Sequence, residues 1–268
     1  MPTATSICLN CGQINHNSSK YCSNCSQKIA VHRITPAHLI HETVHYITHA
    51  DKGIFHLIKM MALNPGKVIR EYIEGRRKTY FSPLNFFLII VGLFVFVQVT
   101  FKPMQAVSMD TMRAGVSQIA DEEVRSRRMA KVDRMEKALN FVATKSNYVN
   151  MAVTPLVALV FYLFFLKRKF NYTEHLVAHL YIVGFSFLFY IFIITPYLLL
   201  TKGSNAYFYG VMSFLVFEVV YKTLAYYGFM NRHGWKQFLY CLFISLLTVT
   251  GWYFLSTGII RYYINNGF

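Results

Sequence analysis

The sequence predicts an all-α integral membrane protein. It is expected to have about five transmembrane helices, a small N-terminal zinc ribbon and, between them, a cytosolic segment of amphipathic and interfacial helices. Three observations predict this class. Apolar runs of membrane-crossing length recur after Phe81, two Cys-x2-Cys pairs stand close together near the N-terminus, and short clusters of Arg and Lys alternate with charge-poor connections.

A crossing helix needs roughly 20 mostly apolar residues to traverse a hydrocarbon core of ~30 Å. The segments 83–101, 149–166, 176–200, 206–228 and 238–260 meet that requirement, the fourth less cleanly because it holds Glu218 and Lys222. No short apolar leader precedes them, so the first span is expected to act as the insertion signal. The chain divides on this basis into a ribbon (1–30), cytosolic amphipathic and basic juxtamembrane helices (31–81) and a transmembrane bundle (82–268) with an extracytoplasmic helical segment at 102–148.

The formal charge is +15. On a soluble chain such a charge would suggest nucleic acid. Here the positive-inside rule accounts for it. Arg76-Arg77-Lys78 precedes the first span, Lys167-Arg168-Lys169 lies between the second and third, and Arg232 and Lys236 lie between the fourth and fifth. The opposite connections carry Lys202 alone, and Arg261 follows the last span. This alternation puts the N-terminus in the cytosol and the C-terminus outside. The segment 102–148 falls outside despite its many basic residues, which are mixed with Asp110, Asp121, Glu122, Glu123, Asp133 and Glu136. Long mixed-charge loops weigh little in the rule. Their apolar spacing predicts an amphipathic helix interrupted near Arg127-Arg128.

Cys8, Cys11, Cys22 and Cys25 form the strongest chemical motif. Paired CxxC knuckles set four thiolates tetrahedrally around one Zn2+. A module this short buries no core, so the metal supplies its folding energy. Disulfides are disfavoured in a cytosolic segment, and a redox CxxC belongs in a thioredoxin-like unit that is missing here. Cys241, in the fifth span, reads as an ordinary buried residue.

Over 36–63, Ile40, Val44, Ile47, Ile54 and Ile58 share one helical face. His38, His41, His45, His49 and His56 gather on the other. His41-Glu42-Thr43-Val44-His45 matches HExxH, in which two histidines hold zinc and Glu42 acts as general base. A histidine-rich helix inflates such matches, and spacing supplies no third ligand. The blander reading, a solvated polar face, is therefore favoured over both the protease and a looser histidine metal site. Asp51-Lys52-Gly53 marks a break and Asn64-Pro65-Gly66 a turn, after which 67–80 reads as a short basic helix. Ser82-Pro83 and Thr173-Glu174 are expected to cap the first and third spans.

Glu174, His175 and His179 fall at the cytosolic end of the third span, the histidines one turn apart. Glu218 and Lys222 are one turn apart in the fourth. Ionisable groups within a membrane are costly and usually face a bundle interior or a wet cavity. His179, Glu218 and Lys222 are accordingly the intramembrane polar candidates, with His175 and His179 a weaker metal pair. The structural alternative pairs Glu218 with Lys222 and leaves His175 at headgroup level.

The block Asn64-Pro65-Gly66-Lys67-Val68-Ile69-Arg70-Glu71-Tyr72-Ile73, continuing through Gly75, Arg77, Tyr80 and Pro83, resembles the hallmark of a family of bacterial membrane proteins classed as a domain of unknown function. Arg33-Ile34-Thr35 and Glu174-His175-Leu176 are also similar to that family. The resemblance implies a zinc ribbon followed by several spans, and implies no activity. In physical terms the block carries Arg70, Arg76, Arg77 and Lys78 toward anionic lipid headgroups or a partner, each worth ~1 kcal/mol near an anionic surface.

Together these features favour a non-enzymatic protein of the bacterial inner membrane. It would serve as a scaffold or regulator whose zinc ribbon docks a cytosolic protein; nucleic acid is not the expected partner. One alternative is a transporter or channel-like protein with a polar cavity at His179 and Glu218. Another is a membrane-associated zinc metalloenzyme acting through His41, Glu42 and His45.

Overall fold

A computed structural model of the chain describes residues 5–36, 39, 53–103, 109–166, 169–231 and 234–267. It begins with a hairpin of β1 (Thr5–Ile7) and β2 (Ile14–His16), antiparallel with Ile7 opposite Ile14 and Thr5 opposite His16. The other described elements are helices: α1 (Gly53–Leu63), α2 (Pro65–Ile73), α3 (Pro83–Phe101), α4 (Met109–Ser117), α5 (Glu122–Phe164), α6 (Tyr172–Leu200), α7 (Ala206–Phe229) and α8 (Trp235–Asn266). Helices α3, α6, α7 and α8 are long and apolar enough to cross a membrane. In α5 the pieces Glu122–Lys145 and Tyr148–Phe164 meet at 71° and together qualify as a fifth, bent candidate.

Several local features differ from expectation for identifiable reasons. The basic run after α2 is not helical. Gly75, at φ +119°, turns the chain out of the helix just beyond the cap residue Glu74. Such a left-handed position is one that glycine adopts without a Cβ clash. Helix α5 continues unbroken through Arg127-Arg128; the break falls earlier, where the Asp121 carboxylate caps the Val124 amide (3.0 Å). At the start of α6 the cap is Asn171 rather than Thr173. Asn171 Oδ1 accepts from the Glu174 amide (2.9 Å), and Glu174 Oε2 accepts from the Asn171 amide (2.6 Å). This reciprocal pair is a capping box. The Ser82 hydroxyl ahead of α3 is buried without a hydrogen-bond partner.

Pro196 falls within α6, where it has no N–H to give to the preceding turn. The helix absorbs this with a π-turn over Tyr190–Ile194, in which the Thr195 amide reaches back to the Tyr190 carbonyl. Wide turns of this kind are one of the few ways a helix carries an irregular register without breaking.

The chain resolves into two compact units: Met1–Ile89, Thr154–Phe185 and Tyr221–Leu242 form the first, and Ile90–Val153, Ser186–Val220 and Phe243–Phe268 the second. The first has a dense core of fully buried large side chains, including Leu57, Met61, Ile69, Phe86, Phe161, Tyr181, Tyr226 and Phe229. In the second, Phe94 stacks on Phe187 (4.4 Å between centroids) and Phe189 on Phe217 (3.7 Å). Many apolar side chains of α8 face outward, among them Phe243, Phe254, Leu255 and Ile259.

Candidate metal centre and buried histidine cluster

The ribbon is built from two equivalent knuckles. In the first, the Gly12 amide reaches back to the Cys8 carbonyl (2.9 Å); in the second, the Ser26 amide reaches back to the Cys22 carbonyl (3.0 Å). Gly12 and Ser26 each follow the second cysteine of their pair, and both take positive φ (77° and 57°). Gly12 is legible as a knuckle residue from the sequence, whereas Ser26 gives no such sign.

The four sulfurs lie within 4.8 Å of one another, with Cys8 Sγ to Cys25 Sγ and Cys11 Sγ to Cys22 Sγ both at 3.6 Å. A disulfide requires about 2.05 Å. Four sulfurs at ~2.3 Å from one tetrahedral metal ion stand about 3.8 Å apart, so the spacing fits a metal ion. Hydrogen bonds from the Cys25 and Asn24 amides, and lesser ones from the Cys11 and Asn15 side chains, outweigh burial and hold the Cys22 thiol down at about 6. Burial pushes the Cys25 thiol up to about 11. A cation at the centre of the four sulfurs is what would hold them together as thiolates. Asn15, itself buried, donates to Cys22 Sγ (3.6 Å) and accepts from the Ser23 amide (3.0 Å).

The ribbon sits on its own chain. Gln27 Nε2 donates to the Gly75 carbonyl (2.8 Å), and Gln27 Oε1 accepts from the amides of Arg77 (3.1 Å) and Lys78 (3.2 Å). Asn10 Oδ1 accepts from the Thr79 amide (3.0 Å) and hydroxyl (2.8 Å). The residues after the ribbon are fixed in turn: Arg33 grips Glu174 with two hydrogen bonds of 3.0 Å. Glu174 is buried and Arg33 half-exposed. No local signal announces a pair of residues so far apart in sequence.

Helix α2 is the neighbouring joint. A Cβ on Gly66 would lie 2.4 Å from the Gly228 Cα, so the two backbones touch where only glycine fits. Arg70 reaches the carbonyls of Gly228 and Phe229, the latter from Nε at 3.1 Å, at the end of α7. The Gly228 carbonyl also accepts from the Asn231 amide (3.2 Å) in the closing turn, and a cation at this helix end complements the helix dipole. Burial lowers the Arg70 guanidinium from its ordinary range. Glu71 accepts from the Tyr80 hydroxyl (2.6 Å) and from Arg76 (3.1 Å), and Arg77 donates to the His32 carbonyl (2.7 Å). Burial first, and the hydrogen bond to Glu71 second, push the Tyr80 phenol upward. Lys78 is exposed.

The histidine cluster lies deeper in the same unit. His175, His179 and Tyr226 are fully buried. The Tyr226 hydroxyl is 2.9 Å from His179 Nδ1 and 3.3 Å from His175 Nδ1. His179 Nδ1 is also 3.2 Å from the His175 carbonyl. Phe161, Phe165 and Phe229 wall the group in. Neither Nε2 has a hydrogen-bond partner. Tyr226 was not singled out by the sequence. It lies one turn beyond Lys222 on α7 and shares that helix face, which is the signal that could have found it.

Of the other sequence candidates, Lys222 is buried in the first unit, whereas Glu218 is half-buried and belongs to the second. Cys241 is buried. His41, Glu42 and His45, with His38 and His49, lie outside the described residues. Among the described residues, the four cysteines are the one group of three or more His, Cys, Asp or Glu side chains arranged to hold a metal ion.

Comparison with curated proteins and with solved structures finds no match to this chain. The profile of a family described as "protein of unknown function (DUF3667)" matches residues 51–95, which take in α1, the Gly66 joint, the basic turn and the first part of α3.

Proposed function

We propose that this chain is a multi-pass protein of the cytoplasmic membrane. Its cytosolic ribbon would carry one structural Zn2+ and would serve, together with the helices, as a scaffold or regulator for a cytosolic protein, without catalysis. The observation that carries the reading is the seating of a four-thiolate cluster, too small to fold alone, on the turn that leads into the first apolar helix. The alternation of basic clusters supports a cytosolic N-terminus and an external C-terminus. Arg76 and Lys78, both exposed, suit anionic headgroups. The reading is tested by metal analysis of detergent-purified protein beside Cys22→Ser/Cys25→Ser. About one zinc per chain is expected in the wild type and none in the variant. Absence of metal from the wild type, or a metal other than zinc, defeats it.

A second reading, a transporter, draws on the histidine cluster. Two buried imidazoles with unpartnered Nε2 atoms are costly in a purely structural core, at ~1–3 kcal/mol each. Under this reading His179→Leu abolishes a measurable flux while leaving the protein folded and inserted.

A further inference from the structure

Each knuckle of the ribbon contributes one amide side chain to the same short turn. Asn10 stands between Cys8 and Cys11, and Gln27 stands two residues past Cys25. The main chain of Gln27 belongs to the knuckle as well, since its carbonyl accepts from the Cys22 amide at 2.8 Å. Its side chain is buried and spends both ends on the turn, one on the Gly75 carbonyl and the other on the amides of Arg77 and Lys78. Asn10 takes the next amide, that of Thr79. Three consecutive backbone N–H groups, at Arg77, Lys78 and Thr79, therefore have ribbon side chains as acceptors, that of Arg77 sharing its proton with the Gly75 carbonyl (2.9 Å). Leu9 closes the contact: its Cδ1 would lie 2.8 Å from a Cβ on Gly75.

These acceptors are held in place by the knuckles, and the knuckles have no apolar core of their own. Among the ribbon's apolar residues, Ile7, Leu9, Ile14 and Tyr21 are all more than half exposed. Metal-bound thiolates are what would keep Asn10 and Gln27 in register with each other. A small metal module of this kind unfolds when its ion is removed, and the two side chains would leave the turn together.

We infer that the ribbon is a metal-gated latch on the turn Gly75–Tyr80. With metal bound, the turn and its Arg76-Arg77-Lys78 triplet are held in one conformation at the start of α3. With metal removed, the Lys78 and Thr79 amides lose their ribbon acceptors, the Arg77 amide keeps only the Gly75 carbonyl, and the turn is released. The inference rests on the metal reading of the ribbon and adds a consequence to it: the first surface the ribbon serves is its own chain.

The test is hydrogen–deuterium exchange on the full-length protein in detergent, followed over the peptide covering residues 75–80, with zinc content measured on the same samples. A zinc chelator is expected to raise exchange in that peptide roughly tenfold or more, as bonded amides become open ones, while α2 changes little. Asn10→Ala/Gln27→Ala is expected to give the same rise with its zinc retained, because it removes the acceptors and leaves the thiolates. Slow exchange over 75–80 in the zinc-free protein, or in the zinc-loaded double variant, overturns the latch while the metal reading stands. Wild-type protein that binds no metal overturns both.

Discussion

Each unit of the molecule lays an arginine from a polar helix on the carbonyl end of an apolar one. In the first, Arg70 of α2 reaches the carbonyls of Gly228 and Phe229 at the end of α7. In the second, Arg134 of α5 donates to the Ile264 carbonyl (2.8 Å) at the end of α8, with Lys131 beside it on the Asn265 side chain (3.0 Å). The electrostatic device is the same: last-turn carbonyls and the negative end of a helix dipole answered by a cation. The packing is not. At Gly66 an added Cβ would meet the Gly228 backbone at 2.4 Å, whereas at Gly267 it would meet Arg134 at an ordinary 3.8 Å. The charge contact tolerates rearrangement; the glycine contact does not. The family profile covers Gly66 and Arg70 and stops well short of Arg134.

The largest effect separating the two regions is expected from Gly66→Ala. The obstacle is backbone, which cannot swing aside as a flexible side chain would, so the cost should reach the top of the ~1–3 kcal/mol range for overpacking. It is read as a lowered thermal midpoint in detergent. A midpoint equal to that of the wild type would mean that α2 does not lie against α7 as described.

Arg70→Ala comes next. It leaves the Gly228 and Phe229 carbonyls without their charged donor in a half-buried joint, at ~1.5–3 kcal/mol for hydrogen bonds to a charged group. Arg70→Lys should recover only part of this, because an ammonium group lacks the planar fork that meets two carbonyls at once. If lysine restores full stability, the contact is a matter of charge alone and the difference in geometry between the two units is unimportant.

How far the sequence reveals these regions follows from the range of each interaction. The apolar runs and the cysteine spacing are local patterns: the sulfurs cluster as the spacing predicts and four runs coincide with helices long and apolar enough to cross a membrane, whereas the run at 149–166 forms only the later part of the bent α5. The Gly66 joint is only half legible. Asn64-Pro65-Gly66 reads as a turn and does join two helices, but nothing local says that the glycine faces another glycine on α7. The basic run shows how little the sequence says of partners within the chain. Arg70, Arg76 and Arg77 read as one cationic surface, yet Arg70 ends on helix carbonyls, Arg76 on Glu71 and Arg77 on the His32 carbonyl. Charge patterns give sign and side, while partners of this kind depend on tertiary approach. The histidine cluster repeats the lesson, since the one-turn spacing of His175 and His179 is visible in the sequence and the tyrosine that bridges them comes from another helix.

The smallest effect should come from Arg134→Ala. Its guanidinium lies on the last turn of α8, where the neighbouring residues Asn265 and Asn266 are exposed to solvent. Water can replace the lost donor at the Ile264 carbonyl, so what remains is the screened interaction of a cation with a helix end, ~0.3–1 kcal/mol and weaker in salt. The midpoint should therefore drop slightly at low ionic strength and match the wild type at high salt. The same salt series leaves the Arg70→Ala deficit largely intact, because that loss comes from charge-assisted hydrogen bonds in a packed joint, the Phe229 carbonyl above all, and not from long-range charge. Equal salt sensitivity in the two variants would erase the distinction between a glycine-sealed joint and an open one. A large, salt-independent loss at Arg134 would show that the α5 contact with the end of α8 is as closely packed as the joint formed by α2.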